Sequence, residues 1–539
     1  MQIDIVDFIN DHETQPSTST SLARANYKFD LGNDELNKTS LAINGSSIER
    51  EHMRYTQCVE AIDFFYNKKS IINSVFQYVS SDSSRFYPRD KVDALKQLTI
   101  SSWKSLLHTT GIYDVMPQLR KDEWNNQKDW IEFSEDNIKA TLFALLQEQG
   151  KFTAEKVEGC FLGLSKAHVT NRPEGFYKRC IFELSYNDYS FIDSRLANIH
   201  DLRYLICQLT KREFSFFTEH HTYQLLNRVP KDGQWYEIDG GAWKIRRYLK
   251  GTAHIEFHPD IAWQLNSILA TIYGAAIPEK HRKPVKVRKA KEVKLRQDLL
   301  PLEVISKLAD LRPSSGRNKP QNGYSYYFHS YDVDKHLVRE MHKVLTLIGG
   351  KKQSSGSYLY DYDITNVLSE VIRTGQIPDK FSHQYYPTNE ELAQTAVDML
   401  NIGPNELTLE PSAGQGGIAK FLPSDSHLVE VCELNCRILN EKGFENVIND
   451  DFIKYAKETT HRYDNIAMNP PFSENRALVH LTAALNLLNY TGCLVAILPA
   501  SAVNYELPDG FEYSFSKPIE NQFEGTSVTV VMLKATRNR

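Results

Sequence analysis

Leu407-Thr-Leu-Glu-Pro-Ser-Ala-Gly-Gln-Gly-Gly-Ile418 decides the fold. A short apolar strand delivers Glu410, and a tight glycine-bearing turn then opens the next helix. Gly414 and Gly416 permit positive φ and let the backbone approach a ligand closely, as in other nucleotide-binding strand–turn–helix units. The acid ahead of the loop repels phosphate. Ser412 and Gln415 also stand where a phosphate cradle would carry a further glycine and a Lys-Ser/Thr pair. The implied ligand is therefore cationic.

Three more strand ends follow in order. Leu428-Val-Glu-Val-Cys-Glu433 closes on an acid, roughly twenty residues on, the spacing at which a carboxylate meets ribose hydroxyls. Glu433 is the preferred ligand, with Glu430 read as mid-strand. Asn446-Val-Ile leads to Asn449-Asp450-Asp451-Phe452, where Asp451 suits an adenine amine and Phe452 its ring. Tyr463-Asp-Asn-Ile-Ala-Met-Asn-Pro-Pro-Phe472 reads as a strand entering a rigid turn. Each proline fixes its own φ and lacks an N–H, and Pro471 also holds Pro470 out of the helical region. Carbonyls there stay free of a ladder, so an amine in the plane of a base can donate to the Asn469 side chain and the Pro470 carbonyl while Phe472 stacks. Singly, each acid reads more simply as a solvated loop residue and the Pro-Pro pair as an ordinary turn. Their order at successive strand ends gives the combined reading its weight.

With those motifs in place, residues 381–539 resemble the class I S-adenosylmethionine (SAM)-dependent methyltransferases, specifically the DNA enzymes that modify adenine N6. The match includes Gln384-Tyr-Tyr-Pro-Thr388 and the helical pattern after it. The resemblance implies a Rossmann-like fold on a mixed seven-stranded sheet, with SAM as cofactor and duplex DNA, its target adenine flipped out, as partner. It assigns SAM contacts to Tyr386, Thr388, Glu410, Ala413, Gly414, Glu433, Asp451, Phe452 and Asn469, and catalysis to Asn469, Pro470, Pro471 and Phe472. Cytosine-N4 enzymes more often carry serine at the first motif position, so Asn469 favours adenine. RNA-base and protein-glutamine methyltransferases remain alternatives, as does a non-catalytic DNA-binding protein. The closest kind is that of phage and mobile elements, where methylation shields DNA from restriction-modification systems.

One departure from the pattern stands out. Such enzymes usually carry a target-recognition domain after the last strand, whereas here only Lys534-Ala-Thr-Arg-Asn-Arg539 follows Leu533. Recognition is then expected upstream, or sequence preference is weak. Charge agrees with an upstream grip: residues 381–539 carry 11 Lys+Arg against 20 Asp+Glu, a net −9. The whole chain is −5, which leaves +4 for residues 1–380. Duplex affinity rests largely on Lys and Arg at phosphates, so the N-terminal part must supply them.

Upstream, residues 1–45 read as a polar, loosely ordered tail, and 46–277 as an aromatic-rich, mostly helical α+β domain holding all six tryptophans. That domain is similar to an uncharacterised one found ahead of methyltransferase modules in phage and bacterial mobile-element proteins. Residues 234–249 look like a hairpin turning at Asp239-Gly-Gly. Around it lie Lys244, Arg246, Arg247 and Lys250, a ribbon able to meet DNA or to form a solvated strand face. A basic linker over 278–297 includes nine Lys/Arg and one acid between Lys280 and Arg296. Lys283, Arg288 and Lys289 are its candidate DNA contacts. Residues 298–380 read as a small α/β unit, where Lys351-Lys352 after Gly349-Gly350 follow a helix C-cap rather than forming a phosphate cradle.

No run approaches the eighteen apolar residues of a membrane span, and Met1-Gln-Ile-Asp-Ile-Val-Asp lacks a signal peptide's basic and apolar regions. The seven cysteines form no Cys-x-x-Cys pair and read as reduced core thiols of a protein in the bacterial host cytoplasm. Neither Cys432/Cys436 nor His220-His221 has the partners a metal site requires, so no metal is expected.

Overall fold

A computed structural model describes residues 45–68, 71, 90–184, 194–212, 219–273, 276–284, 297–314, 320, 323–328, 334–378, 387–472, 475–520 and 528–537. All but the last residue of the tail expected at 1–45, most of the basic linker with Arg288 and Lys289, and Tyr386 lie outside the described residues. The chain separates into two compact units, the described residues up to 284 falling in the first and those from 297 on in the second.

In the first unit, helices Lys91–Thr109 and Glu135–Gln147 are capped by Asp90 and Ser134, whose side chains accept from backbone N–H groups in the first turn. Their apolar faces enclose Trp103, Leu106, Leu107, Phe133 and Ile138, and the Trp103 indole donates to the Ile131 carbonyl at 2.8 Å. A second core lies against an antiparallel sheet in the order β1-β4-β3-β2. Its strands are β1 (Arg179–Glu183), β2 (Tyr236–Ile238), β3 (Trp243–Arg247) and β4 (Thr252–Phe257). The hairpin read from the sequence is therefore present, turning through a 3₁₀ segment at Asp239–Gly241.

Asp239 does more than turn the chain. It adopts φ 48° and is buried, accepting from Arg203 at 2.8 and 3.0 Å, from Arg212 at 2.5 Å and from the Trp243 indole at 3.1 Å. Burial alone would raise its pKa, but the two guanidiniums outweigh burial and hold the carboxyl at about 2.

The second unit opens with β5 (Gln297–Leu299), β6 (Arg312–Pro313), β7 (Tyr324–Tyr327), β8 (Lys351–Lys352), β9 (Tyr358–Tyr360) and β10 (Gln376–Pro378). Four of these pair antiparallel as β6-β7-β9-β8, and β5 pairs with β10. Helix Lys335–Leu347 ends as expected at Gly349, where φ is 91°. Lys351 and Lys352 stand exposed on the short edge strand β8.

The rest is a mixed sheet in the order β13-β12-β11-β14-β15-β17-β16. Its members are β11 (Thr408–Pro411), β12 (His427–Glu430), β13 (Val447–Asn449), β14 (Tyr463–Met468), β15 (Leu488–Pro499), β16 (Phe511–Phe515) and β17 (Val530–Arg537). The first five in chain order are parallel, and β17 runs antiparallel to both β15 and β16. Side chains alternate across it as a twofold strand period demands. Ile466, Met468, Leu494 and Ala496 join one core beneath helix Arg476–Asn486, while Ala467, Val495 and Ile497 join another under helix Glu390–Asp398. Burial on both faces explains why β15 reads as a continuous apolar run.

One expectation fails here. No α-helix follows the glycine loop; residues 414–418 are turns and only the 3₁₀ segment Ala419–Phe421 comes after. Glycines at 414, 416 and 417 and Pro423 leave too little helix-forming sequence between them. Among the described residues, no helix is long and apolar enough to cross a membrane.

Candidate active site

β11 has β12 on one side and β14 on the other, so the carboxyl ends of these strands mark the switch-point crevice where open parallel sheets usually bind ligands. Four sequence motifs arrive there. The glycine loop hooks onto β12 through Ser412 and Ala413, whose N–H groups both donate to the Val429 carbonyl at 2.8 and 3.0 Å. Ser412 (φ 69°), Gly414 (φ 57°) and Gly416 (φ 84°) are left-handed. A Cβ on Gly416 would lie 3.0 Å from Leu439 and Phe444, so the loop also needs glycine for close packing.

Two acids lie under this loop. Glu410 is 2% exposed and its Oε2 has no hydrogen-bond partner. Burial, reinforced by the charge of Glu430, pushes its pKa well up, although the Ala419 N–H works against this. Glu430 is 6% exposed and accepts from the Gly414 N–H and the Cys432 N–H, each at 2.8 Å. Burial raises its pKa too, against those hydrogen bonds. Two adjacent buried carboxyls held toward the neutral form, one with an unpaired oxygen, make a site that a cation would relieve.

Glu430 also corrects the sequence reading. It is the last residue of β12, not a mid-strand one, and its carboxylate touches the glycine loop. Glu433 stands exposed in the first turn of helix Glu433–Glu441. The acid at the strand end, and so the better ribose candidate, is Glu430.

At the next strand end, Asp451 is exposed and caps helix Phe452–Glu458, accepting from the Lys454 N–H at 3.0 Å. Phe452 departs from expectation: at 3% exposure it belongs to the core, its ring 5.5 Å from that of His480. His480, on helix Arg476–Asn486, places Nδ1 3.4 Å from the Ser412 hydroxyl. Burial lowers its pKa to about 4. The sequence offered one signal for it, a lone histidine in an otherwise apolar helix.

Asn469 follows β14 directly, and its Nδ2 donates to Thr388 Oγ1 at 3.0 Å. Thr388 lies 3.5 Å from where a Cβ on Gly417 would stand. The Pro-Thr turn, the glycine loop and the Asn-Pro-Pro-Phe turn thus converge, although they are far apart in sequence. Pro470 is buried, while Pro471 and Phe472 are half-buried, with Phe472 packed against both cores.

In the first unit the basic candidates divide. Arg247 is withdrawn as a DNA contact: it is buried, and its Nη1 donates to the carbonyls of Leu226 and Val229. Its outward neighbour Arg246 lies between Trp235 and Tyr248, 4.8 and 5.2 Å from their ring centroids. Lys244 pairs with Glu237 at 3.1 Å, and Lys283 with Glu279 at 2.5 Å.

Residues 95–275 match a family model described as a domain of unknown function (DUF4942). No curated protein matches the chain. Similar solved structures include TrmN from Thermus thermophilus, at 20% identity over 28% of this chain and 49% of that one, with a TM-score of 0.23. SMU.1697c from Streptococcus mutans, solved in complex with SAH, matches at 18% identity over 27% of this chain and 96% of that one, TM-score 0.23. The M protein of the type I restriction enzyme EcoKI matches at 14% identity over 38% and 55%, TM-score 0.25. The chain spans about half the length of TrmN.

Proposed function

We propose that the second unit binds SAM and transfers its methyl group to the exocyclic N6 amine of adenine in DNA. The observation that carries this reading is the contact between Asn469 and Thr388, made beside a glycine loop that overlies two buried acids, one with an unpaired oxygen. Bound SAM supplies an electrophilic methyl group on a cationic sulfur. Glu410, with Ala413, Gly414 and Thr388, would hold the methionine end, and the family resemblance adds Tyr386 to them. Glu430 would hold the ribose hydroxyls, and Asp451 would accept from the cofactor's adenine amine, next to His480 and Phe452.

Asn469 and the Pro470 carbonyl accept hydrogen bonds from the target amine, localising a lone pair otherwise delocalised into the ring. With SAM bound, that pair would take the methyl group, the C–S electrons would stay on sulfur, and an amine proton would be lost to solvent. Because its Nδ2 donates to Thr388, Asn469 uses Oδ1 to accept from the amine, and in-line positioning supplies much of the rate. Extruding the base costs a few kcal/mol, offset by stacking on Phe472. An acidic catalytic part leaves the duplex grip to Lys244, Arg246, Lys283, Arg288 and Lys289. In a phage or mobile element the mark would shield DNA from restriction.

Expression in a host lacking adenine methylation, followed by single-molecule sequencing of its DNA, tests this reading with Asn469→Ala as control. Abundant N6-methyladenine that disappears in the variant is expected. Unmodified adenine with methyl groups on cytosine, RNA or protein would move the acceptor elsewhere.

A further inference from the structure

Gln415 sits inside the glycine loop, yet its side chain turns away from the crevice. It is 7% exposed, and its Nε2 donates to the Leu347 carbonyl at 2.6 Å and to Asn435 Oδ1 at 3.2 Å. Leu347 ends helix Lys335–Leu347 of the small upstream sheet unit. Two residues on, Gly349 leaves room for the Gln415 amide: a Cβ there would lie 3.2 Å from Gln415 Oε1.

Lys442 makes the second tie. It follows helix Glu433–Glu441 and donates from Nζ to the Gln415 carbonyl at 3.0 Å. The same ammonium pairs with Asp361 at 2.9 Å and lies 5.7 Å from the Tyr362 ring centroid. Tyr362 is itself fixed by donation to the Ile348 carbonyl at 2.8 Å. Flanking bonds join Asn366 to Glu441 at 3.0 Å and Glu370 to Arg437. A loop with three left-handed residues is thus tied on one side to β12 and on the other to the upstream unit.

We propose that the unit formed by residues 297–378 is a brace for the cofactor loop, with Lys442 as its positioning residue. The inference rests on the SAM reading above. Loop conformations lacking these ties bind the cofactor poorly, so intact ties raise its affinity without touching it. The brace should govern cofactor affinity and leave the acceptor side alone.

The test compares full-length wild type, Lys442→Met, Lys442→Arg and Asp361→Asn by calorimetric titration with SAM and by kcat at saturating SAM. A lost charge-assisted bond weakens SAM binding about tenfold in Lys442→Met, with saturating kcat within about twofold of wild type and most affinity restored by Lys442→Arg. Should Lys442→Met not fold, Asp361→Asn carries the test, because Asp361 is exposed, and weaker SAM binding at unchanged kcat is again expected. Wild-type affinity in the folded variants overturns the brace while the SAM site stands. Absence of SAM binding by wild type overturns the site itself, and the brace with it.

Discussion

Glu410 illustrates how a single residue can oppose stability and serve a ligand. Its buried carboxyl has one oxygen without a partner and a second buried acid beside it. Removing the cost of keeping that titratable carboxyl buried should stabilise the ligand-free protein. Glu410→Gln is expected to gain about 1–2 kcal/mol in urea denaturation without cofactor while losing the stabilisation SAM confers on wild type. A variant less stable than wild type and still stabilised by SAM would place the carboxyl outside the site. The segments that converge at the candidate site were legible because strand ends, glycines and a Pro-Pro turn constrain the backbone strongly. Side-chain direction was less legible. Spacing alone ranked Glu433 above Glu430, and only the end of β12 at Glu430 shows which carboxyl meets the loop. Arg247 failed for the same reason, since strand alternation turns it inward beside outward Arg246.

At the level of elements, helix Arg476–Asn486 brings His480 against Ser412 and Phe452, and this has a pH signature. The imidazole's folded pKa is about 4, below its ordinary 6.5, because of burial. Well above pH 6.5 it is neutral in both states and contributes nothing to pH dependence. As pH falls toward 4, the unfolded chain takes up a proton that the folded one refuses, so stability is lost. Between pH 7 and 5 the loss from this group is about 2 kcal/mol. Urea denaturation of His480→Gln should show a correspondingly shallower decline over that interval, and a decline as steep as wild type would contradict the assignment. The β14 strand and the hairpin were readable from apolar pattern and turn chemistry. The missing helix after the glycine loop was not, because local signals there point to a turn–helix unit while clustered glycines and Pro423 favour turns. Asp239 reads locally as a turn residue; its bonds to Arg203 and Arg212 come from distant segments.

Across the whole molecule, charge is spread unevenly along the chain. Residues 381–539 carry net −9 and residues 1–380 carry +4, so the stretch with the crevice suits a cationic cofactor and the remainder suits a polyanion. The seven-stranded sheet was legible as a class because its motifs recur at ordered strand ends. The first unit was legible only as α+β, since its two cores and its buried Asp239 pairs depend on long-range packing. The measurement that tests the central claim most directly is calorimetric titration of the full chain with SAM in two buffers of different ionisation enthalpy. Micromolar binding is expected, together with proton release, because a bound cation returns Glu410 and Glu430 toward their ionised forms. No binding heat in either buffer, or binding accompanied by proton uptake, would contradict the account.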